Sequence, residues 1–359
     1  MRRALAWIGK QKAPVLIAGA FFVVGILRLN DMSVYTPDSC RYVVVGNSLA
    51  HGRGWLDDTG PDPERFMINP PLYSLLVAPV EFFFPSSLIA VKIWTILWGM
   101  LSVILFHLFL RRTLGEGAAA IGAFIFAFNP LLVLFSSEAL SDAPFVAILL
   151  MALLAWEPDP ARAAGRGPRL WMLGLCVSAL PLMREAGIAA VIAAVGVLAF
   201  RGRIRIAALI LLFAASLLAL WYARNQAWLN AENGSQIVNP SILFRQFFTS
   251  GSSSFLVEFT LRLWYSLTAY VPQIGMVLVD AFGAGQLSDL IVNPSPLYTL
   301  IVRALDVVKP ALIILTFGLV LFGVFRDFRT SPAAWLRIVF VLSYMAIILI
   351  FPAHDIRYL

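Results

Sequence analysis

Apolar stretches recur along nearly the whole chain, near 13–29, 71–84, 88–110, 117–135, 143–156, 170–183, 186–200, 206–222, 309–325 and 335–352, with most charged residues lying between them. A chain crossing lipid must satisfy its backbone hydrogen bonds within each segment, so helices of roughly twenty apolar residues are the natural units. Composition argues against the soluble alternative. Sixty per cent of the residues are hydrophobic and 13% are charged, whereas about a quarter are charged in an ordinary soluble domain. Cys40 and Cys176 offer neither a disulfide framework nor metal-ligand spacing.

The formal charge of +7 reads as topology and not as nucleic-acid binding, because Lys and Arg gather at the ends of apolar segments. Arg2, Arg3, Lys10 and Lys12 precede the first run and predict a cytoplasmic N-terminus. No small-residue cleavage site follows residues 1–29, so that run is expected to stay as a first span and not to leave as a signal peptide. The segment after it is acidic (Asp31, Asp38, Asp57, Asp58, Asp62, Glu64), which suits an extracytoplasmic loop over 30–87.

Charge parity orders the rest. Arg111 and Arg112 return to the cytoplasm if 88–110 crosses and 71–84 does not, which makes 71–84 a juxtamembrane or half-inserted helix begun by Pro70-Pro71, with a short complete span as the alternative. Runs 117–135 and 143–156 then form a hairpin with an outward tip at 136–142, and 170–183 with 186–200 a second with its tip at Arg184-Glu185. Arg162, Arg166, Arg169, Arg201, Arg203, Arg205, Arg326, Arg329 and Arg337 all fall inside. Residues 224–308, rich in Gly, Ser and Asn, read as a second extracytoplasmic region in which 255–279 and 290–302 are ambiguous. The expectation is an all-α polytopic membrane protein, one transmembrane domain over 1–359, with about nine to eleven crossings.

Polar groups gather on the outward side, where a site would be roofed by water and floored by lipid. In Pro37-Asp38-Ser39-Cys40-Arg41-Tyr42, Asp38 and Arg41 share a helical face at a helix start, as a local ion pair and cap or as part of a site. Glu138 and Asp142 stand four apart, one helical turn, and read as sugar ligands, metal ligands or helix caps. Arg184-Glu185 reads as a solvated turn or a phosphate contact, and His107 as a packed polar residue in a span.

With Gly54-Trp55 and Asn69-Pro70-Pro71 following in order, the chain resembles the GT-C superfamily of polyprenyl-phosphate-sugar glycosyltransferases. The likeness is to the family 39 branch of protein O-mannosyltransferases and lipid A aminoarabinose transferases. Asp38, Arg41, Tyr42, Trp55, Pro70, Pro71 and Asp142 match by position, and Arg357-Tyr358 matches an Arg-Tyr pair entering a late outer loop. Two positions depart: Ser39 stands where a second acid is frequent, and Asn69 where Lys often precedes Pro-Pro. The chain stops at Leu359, just after an Arg-Tyr that in relatives leads into further spans, so it reads as a fragment lacking C-terminal helices.

The resemblance implies a GT-C-type bundle with juxtamembrane helices in the first outer loop, and the high Ala, Arg and Gly content with short loops suggests a bacterial inner membrane. It implies inverting transfer of a monosaccharide from a polyprenyl-phosphate donor to a hydroxyl of a protein, lipid or glycan acceptor. Asp38 would be the base. Arg41, Tyr42, Glu138, Asp142, Arg184, Arg357 and Tyr358 would bind substrate, with Arg41, Arg184 and Arg357 as partners of the phosphate. A divalent metal is compatible with this, although no ligand set compels it. The competing class is a polytopic transporter or lipid-linked-sugar flippase, for which inverted repeats and broken mid-membrane helices would be the signature.

Overall fold

A computed structural model describes residues 12–31, 37–57, 64–65, 69–156, 169–231 and 334–350. These are almost entirely helical: α1 (Lys12–Leu27), α2 (Pro37–Ala50), α3 (Leu72–Phe83), α4 (Leu88–Leu114), α5 (Glu116–Ala127), α6 (Pro130–Ser136), α7 (Asp142–Trp156), α8 (Leu170–Met183), a 3₁₀ turn (Glu185–Gly187), α9 (Ile188–Phe200), α10 (Ile204–Ala231) and α11 (Ala334–Ile350). A two-residue antiparallel ladder joins β1 (Leu56–Asp57) to β2 (Glu64–Arg65). The runs 255–279, 290–302 and 309–325, all of 232–308, and Arg357 and Tyr358 lie outside the described residues.

Among the described residues two helices are long and apolar enough to cross a bilayer unaided, Leu88–Arg112 within α4 and Ile204–Ala227 within α10. The expected single run 117–135 is instead two helices, α5 and α6, bent by 60°. The local chemistry explains the break. Pro130 brings no N–H to a continuing helix, while the Asn129 side chain accepts from Leu131 N and Leu132 N at 3.0 and 3.3 Å and caps a new one.

The helix α3 is short. Its 12 residues span about 18 Å, against roughly 30 Å of hydrocarbon, and it packs along α2. Asp38 meets Asn69, Tyr42 meets Tyr73 and Gly46 meets Val77, a constant offset of 31 that makes α2 and α3 parallel neighbours. Gly46 permits the approach, because a Cβ there would sit 2.6 Å from Val77 Cγ1 and 3.0 Å from Val77 Cβ. Gly46→Ala is therefore expected to cost about 1–3 kcal/mol. A lowered unfolding midpoint in detergent that Val77→Ala restores would show it.

The contacts also sort the two ends of the bundle. Arg112 at the end of α4 donates to Leu154 O near the end of α7, Arg201 at the end of α9 lies over Trp156, and Arg337 of α11 lies over Phe109. These arginines share one end. The starts of α4 and α7 and the ends of α8 and α10 make the other.

Candidate functional site

At the end opposite those arginines, α2 carries Asp38 in its first turn and Tyr42 one turn on. Asn69 Nδ2 donates to Asp38 Oδ1 at 3.3 Å. Tyr42 is buried, edge-on to Tyr73 with ring centroids 4.8 Å apart, and its hydroxyl hydrogen-bonds with Ser141. Burial pushes the Tyr42 phenol up, while the Ser141 bond and the charge of Arg184 oppose that shift and Asp38 and Asp142 add to it. One phenol thus senses Asp38, Asp142 and Arg184, which come from three distant parts of the chain. Tyr73 is fixed in turn by a 2.6 Å hydrogen bond between its hydroxyl and Thr95 Oγ1.

Arg184 is not a solvated hairpin tip. Its side chain is 14% exposed and its Nη1 donates to Asp142 Oδ1 in a charge-assisted pair. Asp142 opens α7, and its Oδ2 is buried without a hydrogen-bond partner among the described residues. Glu185, beside Arg184, has its carboxyl pushed up by burial.

Two expected pairings differ. Arg41 turns its Nε to Asp57 Oδ2 at 3.4 Å rather than to Asp38, because the chain folds back from Gly54 through the β1 turn and brings Asp57 to α2. Glu138 and Asp142 do not share a helix face, since α6 ends at Ser136 and α7 begins at Asp142. Glu138 instead lies 2.9 Å from Lys92 Nζ, which also donates to Asn30 Oδ1 at 2.8 Å.

Lys92 is the residue that sequence reasoning passed over. It sits one turn inside an apolar helix of 27 residues with 0% exposure, and a lone lysine in such a run is itself a signal of a buried partner. Trp55 also has an unforeseen partner. Its ring packs edge-on to Trp221 at 5.1 Å, and Arg224 lies over both indoles while donating to Trp55 O at 3.4 Å. His107 is buried as expected, with Nε2 3.2 Å from Glu116. Among the described residues no three His, Cys, Asp or Glu side chains are grouped to hold a metal ion.

Residues 69–228 match the family model of dolichyl-phosphate-mannose-protein mannosyltransferase. No curated protein matches the chain. Among solved structures, ArnT from Cupriavidus metallidurans bound to undecaprenyl phosphate aligns with a TM-score of 0.52 at 16% identity, over 94% of this chain and 59% of that one. The apo state of the same protein gives 0.51 at 18% identity, over 97% and 59%. The archaeal oligosaccharyltransferase AglB from Archaeoglobus fulgidus, in complex with an inhibitory peptide and a dolichol-phosphate, gives 0.41 at 16% identity, over 95% and 37%. The chain therefore spans 59% of the length of ArnT. A mannosyltransferase family match thus runs through α3 to α10, and the chain shares the helical fold of ArnT around it.

Proposed function

We propose that the protein is a membrane glycosyltransferase that moves a monosaccharide from a polyprenyl-phosphate donor to an acceptor hydroxyl, with inversion at the anomeric carbon. The observation that carries this reading is the convergence of Asp38, Asp142 and Arg184 around Tyr42 at one end of a GT-C bundle. Such transfer asks for a base on the acceptor hydroxyl and for positive charge beside the departing phosphate. Asp38 serves as the base. It takes the hydroxyl proton as the oxygen attacks the anomeric carbon, the bond from that carbon to the phosphate oxygen breaks, and polyprenyl phosphate leaves with the electron pair.

Arg184, with Arg41 and Arg357, is the cationic set for the phosphate, and Tyr42 and Tyr358 shape the site. Glu138 acts through the turn that carries Asp142. The positive-inside rule assigns the arginine-rich end to the cytoplasm, so the reaction belongs to the extracytoplasmic face of a bacterial inner membrane.

The test is reconstitution in vesicles with polyprenyl-phosphate mannose and polyprenyl-phosphate aminoarabinose in parallel, with protein and glycolipid acceptors analysed by mass spectrometry. A glycosylated acceptor of inverted anomeric configuration is expected. Donor that changes leaflet while no glycosidic bond forms would replace this reading with transport.

A further inference from the structure

We propose that Asp142 is the resident counter-ion of Arg184, and that the phosphate of the lipid-linked donor displaces it. The guanidinium transfers its charge from carboxylate to phosphate as the donor binds, and Asp142 is released to face the sugar. The proposal rests on the transferase reading above and concerns the same site.

Both described cations assigned to the phosphate already hold a carboxylate, Arg41 that of Asp57 and Arg184 that of Asp142. They differ in burial. The Arg41 side chain is 34% exposed, so water screens much of its charge, whereas Arg184 and Asp142 are 14% and 13% exposed. A shielded guanidinium requires a counter-charge at all times, and an empty site has to supply its own. A phosphate offers the fork geometry and the charge to take over that role.

Asp142 is built to be given up. Only its Oδ1 holds Arg184, while Oδ2 is buried with no hydrogen-bond partner among the described residues, an incomplete arrangement for a carboxylate. As the first residue of α7 it stays at the positive end of the helix, which stabilises the carboxylate once the arginine leaves.

Arg184 lies outside a helix, so a turn of its side chain unwinds none. It follows the last residue of α8 in extended conformation, φ −152° and ψ 142°, with a short 3₁₀ turn after it. Tyr42, hydrogen-bonded to Ser141 and within the field of Asp38, lies where the exchange would be felt. Donor capture is thereby coupled to the uncovering of a second acid.

The experiment measures binding of undecaprenyl phosphate, without sugar, to the full chain in nanodiscs, and the donor KM and kcat in the transfer assay. Asp142→Asn and Asp142→Ser both remove the charge but keep a small polar side chain at the start of α7, so either suffices if the other does not fold. Each is expected to bind undecaprenyl phosphate about tenfold more tightly and to lower both KM and kcat. In an Arg184→Gln background the gain should vanish.

Affinity that is unchanged or weakened in every folded Asp142 variant overturns the counter-ion role, since an acid that merely shapes the loop would raise KM when removed. Failure of the unmutated protein to bind undecaprenyl phosphate overturns the transferase reading itself.

Discussion

Asp38→Asn should reduce sugar transfer by about 10²–10⁴-fold while leaving the protein folded and able to bind donor. The substitution exchanges one oxygen for an amide nitrogen of nearly the same size. An asparagine in the first turn of α2 still offers an oxygen to its backbone N–H groups, so the helix keeps its start. It still offers a carbonyl oxygen to Asn69 Nδ2. What disappears is the capacity to accept a proton from the acceptor hydroxyl. The loss should fall on kcat, with the donor KM nearly unchanged, because Arg184 and not Asp38 holds the phosphate in this scheme. Mass-spectrometric product analysis on protein of normal size-exclusion profile provides the measurement. An Asp38→Asn enzyme of full activity would remove Asp38 as the base and leave Asp142 as the described acid to examine.

The helices were the legible part of this chain. Apolar length and arginine parity located α4, α7, α8, α9 and α10 within a few residues of where they begin, because in lipid the backbone has no other way to be satisfied. The short helix α3 was also legible, from the Pro70-Pro71 start and the apolar run 71–84. The break at Asn129-Pro130 was readable from the dipeptide and was masked by the continuous apolar pattern around it.

Side-chain partners were less accessible. Asp142 and Arg184 are 42 positions apart, and their meeting depends on how α7 and α8 pack and on the geometry of two turns, none of which leaves a local trace. Arg41 has two candidate acids near it in sequence, and spacing favoured Asp38, but the β1 turn decides for Asp57. The convergence on Tyr42 is a property of tertiary packing: α2 supplies the phenol, the turn before α7 supplies Ser141, and the end of α8 supplies the cation.

Lys92 shows the same division and carries the largest expected effect on stability. With a side-chain exposure of 1%, its ammonium lies 2.9 Å from Glu138 and donates to Asn30, so one lysine ties α4 to the end of α1 and to the turn that leads into Asp142. Lys92→Met keeps the length of the side chain and removes the charge, which leaves the Glu138 carboxylate shielded from water without its cation. Stranding one partner of a buried pair typically costs about 3–5 kcal/mol, whereas replacing both with uncharged groups is often close to neutral. Lys92→Met should therefore lower the unfolding midpoint strongly, and Lys92→Met with Glu138→Gln should recover most of the loss. The double variant also separates stability from chemistry. If the pair only holds the bundle together, transfer returns with stability; if it sets the position of Asp142, stability returns while kcat stays low, because an amide opposite a thioether no longer fixes the 137–141 turn against α4. A single variant as stable as the unmutated protein would mean that Glu138 finds another cation or takes up a proton, and that the turn is held by its backbone bonds alone.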